Sequence, residues 1–293
     1  MDNFTIKDLE NLSGIKAHTI RIWEQRYRFL KPKRTDTNIR YYSNEELKTV
    51  LNISLLNKYG FKISHIDKMT PQQIRERITS IGDAKAQKEK EVNDLLHRMI
   101  DLDIAGFEKL IDSHMMAKGV ERTITQIIFS FLERTGVLWQ TGHINPAHEH
   151  LASNIIRQKL IVAIDACHVP VKKKKTAMLF LPEGEHHELG ILYITYLLKK
   201  TGVAVIYPGA NLPIADATYV ALLKKPDIIF MHLTNPAGLP SFAGLLKKIQ
   251  SSFKGIRVII SGAMVREYHK QTPQGIELKK SLAEITDLIT GLE

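Results

Sequence analysis

Residues 177–190 read Ala-Met-Leu-Phe-Leu-Pro-Glu-Gly-Glu-His-His-Glu-Leu-Gly. A continuous apolar run over 177–181 is followed by a polar loop and then by the start of a second apolar segment. A short run of this kind suits a strand buried on both faces, and the loop leads into a helix over about 187–200. The pattern then repeats: apolar at 203–207, helical at 214–224, apolar at 227–233, helical at 242–251, apolar at 257–261. Strands alternating with helices at this spacing predict a doubly wound parallel sheet of Rossmann-like type. Ligands bind such sheets at the carboxyl ends of the strands. The loop holding Glu185, His186 and His187 stands at one of those ends.

Upstream the period changes. Between 72 and 168 apolar residues recur at helical spacing, as in Val92-Leu95-Leu96-Met99, Phe107-Leu110-Ile111 and Ile124-Ile127-Ile128-Phe131-Leu132. Strand-type alternation is missing from this stretch, so a bundle of four or five helices is expected. Near its end Trp139 is followed, after nine residues, by Glu149-His150. An aromatic ring and an acid–imidazole pair on helices suit a lid over a bound cofactor.

The first 70 residues are different again. A short helical pattern over 7–12, a turn at Ser13-Gly14-Ile15 and a second helix over 17–27 precede Pro32, which is expected to end that helix. The polar stretch 33–42 suits a small β-wing. Ser43 and Glu46 have the spacing of a capping box for a third helix, which should stop at Gly60. Between residues 16 and 40 stand Lys16, Arg21, Arg26, Arg28, Lys31, Lys33, Arg34 and Arg40, against Glu24 and Asp36 alone. A basic helix-turn-helix reads duplex DNA with its second helix and anchors on phosphates. His18, Thr19 and Arg21 are the base-edge candidates. Arg26, Arg34, Arg40 and Tyr41, with Tyr42, are the backbone candidates. Trp23 reads as core.

The chain of 293 residues has room for two or three domains, set at 1–70, 71–168 and 169–293. A net charge of +10 favours a polyanionic partner. Cys167 is the only cysteine, which excludes an intrachain disulfide and a cysteine-based zinc site and fits a reducing, cytoplasmic setting. No apolar run reaches the length of a membrane span, and the first 20 residues carry no signal-type apolar core.

Two resemblances add to this reading. The string Thr19-Ile20-Arg21-Ile22-Trp23-Glu24-Gln25-Arg26-Tyr27, followed by Pro32-Lys33-Arg34-Thr35 and Arg40-Tyr41-Tyr42-Ser43, resembles the MerR-type winged helix-turn-helix. Asn38-Ile39 stands where the wing of that family carries Gly. Asn tolerates the left-handed conformation such a turn needs. Glu185-x-His187-x-x-Gly190 is similar to the cobalamin-binding motif Asp/Glu-x-His-x-x-Gly. The resemblance implies that His187 is the lower axial ligand of cobalt, that Glu185 hydrogen-bonds its other nitrogen, and that Gly190 leaves room for the nucleotide tail and for close helix packing. The two later landmarks of that family have altered letters here, His232-Leu233-Thr234 and Gly262-Ala263. By resemblance Thr234, Gly262 and Ala263 line the tail pocket.

Trp139 with Glu149-His150 looks like the upper-face motif of the CarH/LitR-type regulators, which implies packing over the adenosyl group of adenosylcobalamin. Light-sensing members carry His directly after that Trp, where this chain has Gln140; His143 follows nearby. The reading that results is a DNA-binding transcriptional regulator, a repressor, with no enzymatic activity. Adenosylcobalamin and assembly into a homo-oligomer, dimer or tetramer, would switch it, and light would be a further input. Its partner is a double-stranded operator. The alternative is a cofactor-free regulator whose C-terminal domain binds a protein partner. A corrinoid enzyme or methyl carrier is disfavoured because it has no use for residues 1–69.

Overall fold

The computed structural model describes residues 4–140, 144–234 and 241–292, with the side chains of Val137, Trp139 and Gln140 left aside. The chain forms two compact units, residues 1–155 and 156–293.

The first unit opens with α1 (Ile6–Ser13) and α2 (Ala17–Arg26). The wing of β1 (Lys33–Arg34) and β2 (Arg40–Tyr41) follows, then α3 (Asn44–Lys58), α4 (Ile63–Ile66) and α5 (Pro71–Thr79). Local chemistry sets these boundaries. Thr5 with Asp8, Ser43 with Glu46 and Thr70 with Gln73 form capping boxes that satisfy the exposed amides of α1, α3 and α5. Gly14 closes α1 in the left-handed conformation, at φ 74°. Helix α2 ends at Arg26, one residue short of the span 17–27 read from sequence and well before Pro32. Tyr27 turns extended there and its ring stacks on Phe29 at 5.6 Å, while the Arg28 amide donates to Asp67 Oδ1 at 3.2 Å. The wing pairs antiparallel, Lys33 with Tyr41 and Arg34 with Arg40. Asn38 takes φ 64° at its turn, the role expected of it. The core of this module is Phe4, Leu9, Ile20, Trp23, Tyr42, Leu47 and Leu51. Tyr42 is fully buried, so it is no phosphate contact.

The helical remainder of the unit is α6 (Ala84–Ile100), α7 (Ile104–Arg122), a π-helical turn (Thr123–Ile128), α8 (Phe129–Gln140) and the start of α9 (Pro146–Asp165). Leu95, Leu96, Phe107, Ile111, Ile124, Ile127, Ile128 and Phe131 are buried, with the Phe107 and Phe131 rings 5.4 Å apart. Gly119, at φ 78°, breaks α7 just before the π-helical turn, a conformation no β-carbon residue adopts cheaply.

The second unit is the alternating one: β3 (Thr176–Pro182), α10 (Leu189–Lys200), β4 (Ala204–Leu212), α11 (Ile214–Lys224), β5 (Ile228–His232), α12 (Phe242–Ser252), β6 (Arg257–Ser261), α13 (Ala263–Glu267), β7 (Ile276–Lys279) and α14 (Leu282–Thr290). The sheet order is β4-β3-β5-β6-β7 and every pairing is parallel. Strand β3 has apolar neighbours on both faces, which is why it reads as an unbroken hydrophobic run. The chain reverses direction across the sheet between β4 and β5, with β3 between them, and the loop after β3 stands at that switch point.

Candidate functional site

The loop after β3 is organised around one buried acid. Glu185 has no solvent exposure. Its Oε1 meets His187 Nδ1 at 2.5 Å and accepts the His187 backbone amide at 3.0 Å. Its Oε2 accepts the Thr234 amide, from the end of β5, at 2.7 Å. Burial by itself would raise the carboxyl pKa. The hydrogen bonds from the His187 ring, the His187 amide and the Thr234 amide outweigh it and hold the value down at about 2. An ionised carboxylate only accepts, so Nδ1 carries the proton and Nε2 is the ring nitrogen a metal would take. The His187 side chain is 59% exposed. Asn211, left-handed at φ 54°, braces the loop by accepting the Gly184 amide and donating its own to the Glu185 carbonyl.

The neighbouring acid is committed elsewhere. Glu188 Oε2 pairs with Arg157 at 2.6 Å and its Oε1 accepts from the Tyr207 hydroxyl at 2.9 Å. These groups, with Leu192 and Thr195, border a cavity of about 340 Å³. Glu185 is therefore the acid that sets the His187 tautomer, and the Glu-x-His spacing picks His187 over the exposed His186.

Gly190 stands in the first turn of α10 against the His232 ring, and a β-carbon at 190 would overlap that ring. His232 Nδ1 lies 2.9 Å from Ser261 Oγ, and burial pushes the imidazole down to about 4 despite the nearby Glu185, so it is neutral at neutral pH. The space beside Gly190 thus holds an imidazole. Gly262, at φ 107°, lies so close to the Leu233 carbonyl that only glycine fits. Ala263 opens α13 behind it. Thr234 contributes its backbone amide to Glu185. His232, Ser261 and Asn211 are members of this cluster that pattern reading did not assign, because no periodicity links positions so far apart in the chain.

Glu149 lies in the first turn of α9 and His150 follows it. His150 is exposed and its Nδ1 lies 3.7 Å from Glu149 Oε2, while Ser153 donates to the Glu149 carbonyl at 2.7 Å. Trp139 lies in α8, but its ring, the Gln140 amide and His143 fall outside the described residues.

A corrinoid fits the donor set. Among the described residues no three His, Cys, Asp or Glu side chains gather into a metal cage. A metal taken here by one oriented imidazole must bring its other ligands with it, as cobalt does in a corrin. When bound, that group would supply the cobalt centre; His187 would offer Nε2 as a ligand and Glu185 would raise its basicity.

The DNA-facing candidates lie on α2 and the wing. His18, Arg21, Arg26 and Arg34 are exposed, and Thr19 is half-buried beside His18. Arg34 donates to Asn38 Oδ1 at 2.6 Å across the wing turn. Arg40 reaches back to Glu24 of α2 at 3.0 Å, and the Tyr42 hydroxyl donates to the same carboxylate. Arg40 therefore ties the wing to the recognition helix, and Tyr41 beside it is half-buried.

Residues 4–73 match the family model for MerR HTH family regulatory proteins. Residues 91–163 match the model for the B12 binding domain. The chain is a MerR-type regulator with a B12-binding domain. This regulator is 27% identical over 271 residues to the HTH-type transcriptional repressor CarA of Myxococcus xanthus, an alignment that covers 90% of this chain and 88% of that protein. To the HTH-type transcriptional repressor CarH of the same organism it is 24% identical over 272 residues, 90% of each. The monomethylamine corrinoid protein of Methanosarcina barkeri shares the fold, with a TM-score of 0.53 at 16% identity over 68% of this chain and 97% of that one. The DNA-binding module distinguishes the MerR-type regulator from a corrinoid carrier. No described helix is long and apolar enough to cross a membrane.

Proposed function

We propose that this MerR-type regulator is a repressor whose hold on operator DNA is set by adenosylcobalamin. The observation that carries the reading is Glu185: a fully buried, ionised carboxylate spends both oxygens fixing His187 in one tautomer with its ring exposed. A domain kept only for protein contacts has no use for that arrangement, which weighs against the cofactor-free alternative. His187 would hold the cobalt through Nε2. Trp139, Glu149 and His150 would hold the adenosyl group, and Thr234, Gly262 and Ala263 would hold the nucleotide tail. His18, Thr19 and Arg21 meet base edges, while Arg26, Arg34 and Tyr41 meet phosphates. In this reading residues 1–70 would bind DNA, 71–168 would hold the adenosyl group and 169–293 would offer the His187 ligand.

Cofactor uptake drives a homo-oligomer, dimer to tetramer, and linked reading heads raise operator affinity by effective concentration, with no new base contact. Gln140 in place of His removes the imidazole that light-sensing members carry, so the signal read is cobalamin itself. The test is size-exclusion chromatography with visible absorbance, with adenosylcobalamin in the dark and after green light. Co-elution with a larger species, unchanged by light, is expected. Reversal in light would restore the photoreceptor reading. Absence of co-elution would overturn cobalamin sensing in favour of a protein partner.

A further inference from the structure

The second unit carries a row of lysines along one rim of its sheet. In an all-parallel sheet every strand starts at one rim and every helix between strands ends there. The carboxyl rim, with the His187 loop, is mixed in charge: Glu183, Glu185, Glu188 and Asp216 stand there with Arg157, Arg266, Lys279 and Lys280. The amino rim carries Lys172, Lys174, Lys175, Lys200, Lys224 and Lys225, all exposed.

Backbone hydrogen bonds lock these lysines into one row. The Lys172 amide donates to the Gly202 carbonyl at 3.0 Å, two residues past Lys200. The Ala204 amide donates to the Lys175 carbonyl at 3.3 Å. Thr176 and Asp227 then exchange two bonds, the Asp227 amide to the Thr176 carbonyl at 2.9 Å and the Thr176 amide to Asp227 Oδ2 at 2.7 Å. Lys224 and Lys225 precede Asp227, with Pro226 between. The row crosses the starts of the neighbouring strands β4, β3 and β5, which are about 4.8 Å apart each. Among the described residues two acids of this rim are engaged, Asp227 with Thr176 and Glu277 with Arg257 at 2.5 Å and Lys279 at 3.2 Å, while Asp165, beside the end of α10, is exposed. Helix-end electrostatics account for Lys200 and Lys224, which sit at the carbonyl ends of α10 and α11. They do not account for Lys172, Lys174 and Lys175, which lie on no helix.

We infer that this amino rim is a second phosphate-contacting face for duplex DNA, separate from the winged module. The inference rests on the reading of the chain as a DNA-binding protein. Duplex DNA carries one charge per about 1.7 Å of axis, so a row several strands wide meets several phosphates at once. The contact is independent of sequence. It adds affinity and salt dependence without base specificity.

The test uses the full-length protein with adenosylcobalamin and a labelled random-sequence duplex of about 40 base pairs, long enough to exceed one module's footprint. Fluorescence anisotropy is recorded across a salt series. The variant replaces Lys172, Lys174, Lys175, Lys200, Lys224 and Lys225 by Gln, and the visible spectrum checks that its cofactor fold is kept. The slope of log K against log salt falls by about 0.9 for each phosphate that the protein no longer neutralises. A fall of several units and a drop of about tenfold or more in affinity are therefore expected. A second variant, Lys172→Gln with Lys174→Gln and Lys175→Gln, shows about half that effect. An unchanged slope in both variants, with wild type binding normally, would overturn the rim while leaving the winged module intact. Wild type that fails to bind any duplex would overturn the DNA reading itself. Unchanged DNA slopes, together with abolished binding to vesicles of phosphatidylglycerol and phosphatidylcholine, would overturn the DNA role and assign the rim to a membrane surface.

Discussion

At the scale of single residues, Glu185 and His187 behave as one unit. The carboxylate accepts three hydrogen bonds, one of them from the His187 ring. Losing a partner that orients a metal-ligating His costs about 10–100-fold in metal affinity. Glu185→Ala is therefore expected to weaken cobalamin binding by about that factor in a spectral titration, and His187→Ala to abolish the imidazole-ligated spectrum. His186→Ala should change little; a large effect there would transfer the ligand to His186. Gly190 tests the packing beside it. Alanine favours a helix over glycine by up to about 1 kcal/mol. The new β-carbon, however, overlaps the His232 ring, which is held by Ser261. Overpacking of this kind costs about 1–3 kcal/mol. Gly190→Ala should lower stability in denaturant melts by an amount in that range, and adding His232→Ser should recover most of it. A double variant no better than the single one would mean the two positions do not share that space.

At the scale of elements, what a sequence reveals follows from what each element buries. Strand β3 is legible because both of its faces are covered, and α3 because its capping box and apolar spacing agree. Strand β7 and α14 escape pattern reading: Ile276–Lys279 is a four-residue edge strand with one buried position, too short to show a period. The end of α2 falls within one residue of the span 17–27 read from its apolar spacing, with Tyr27 turning extended as the cap well before Pro32. The His187–Glu185 pair is legible from spacing, since both lie in one loop. The His232 ring against Gly190 is not, since a helix and a distant strand end meet only in the fold. The wing shows the same limit. Arg34 and Arg40 look alike in sequence, yet Arg34 is exposed and Arg40 is paired with Glu24. Arg34→Ala should lower the salt slope of operator binding by about one unit, the signature of one phosphate no longer neutralised. Arg40→Ala should lower affinity with less change in slope, because it loosens the wing from α2. Equal slope changes would show that Arg40 leaves Glu24 to meet the backbone.

At the scale of the whole molecule, the two compact units need not respond to acid alike, and the first holds a half-buried imidazole that contributes to its response. His97 lies in α6, and burial pushes its pKa down to about 4; Lys48 lowers it further, while Asp94, Asp101 and Glu45 oppose the shift without overcoming it. The unfolded chain binds a proton at this position near pH 6.5, and the folded chain does so only near pH 4. Above pH 6.5 the imidazole is neutral in both states and the group is indifferent to pH. As pH falls from 6.5 to 4 the unfolded state takes up the proton first, so stability drops across that window and levels below it. A separation of this size corresponds to a loss on the order of 3 kcal/mol. Trp23 and Trp139 both fall within residues 1–155, so tryptophan fluorescence follows the first unit alone. Urea melts at pH 7, 6, 5 and 4 should show the wild-type midpoint falling through this range. His97→Leu, which keeps the site filled and cannot charge, should lose most of that fall, leaving what the buried His114 contributes in the same direction. A variant that falls as steeply as wild type would place the acid sensitivity of the first unit in its carboxylates instead.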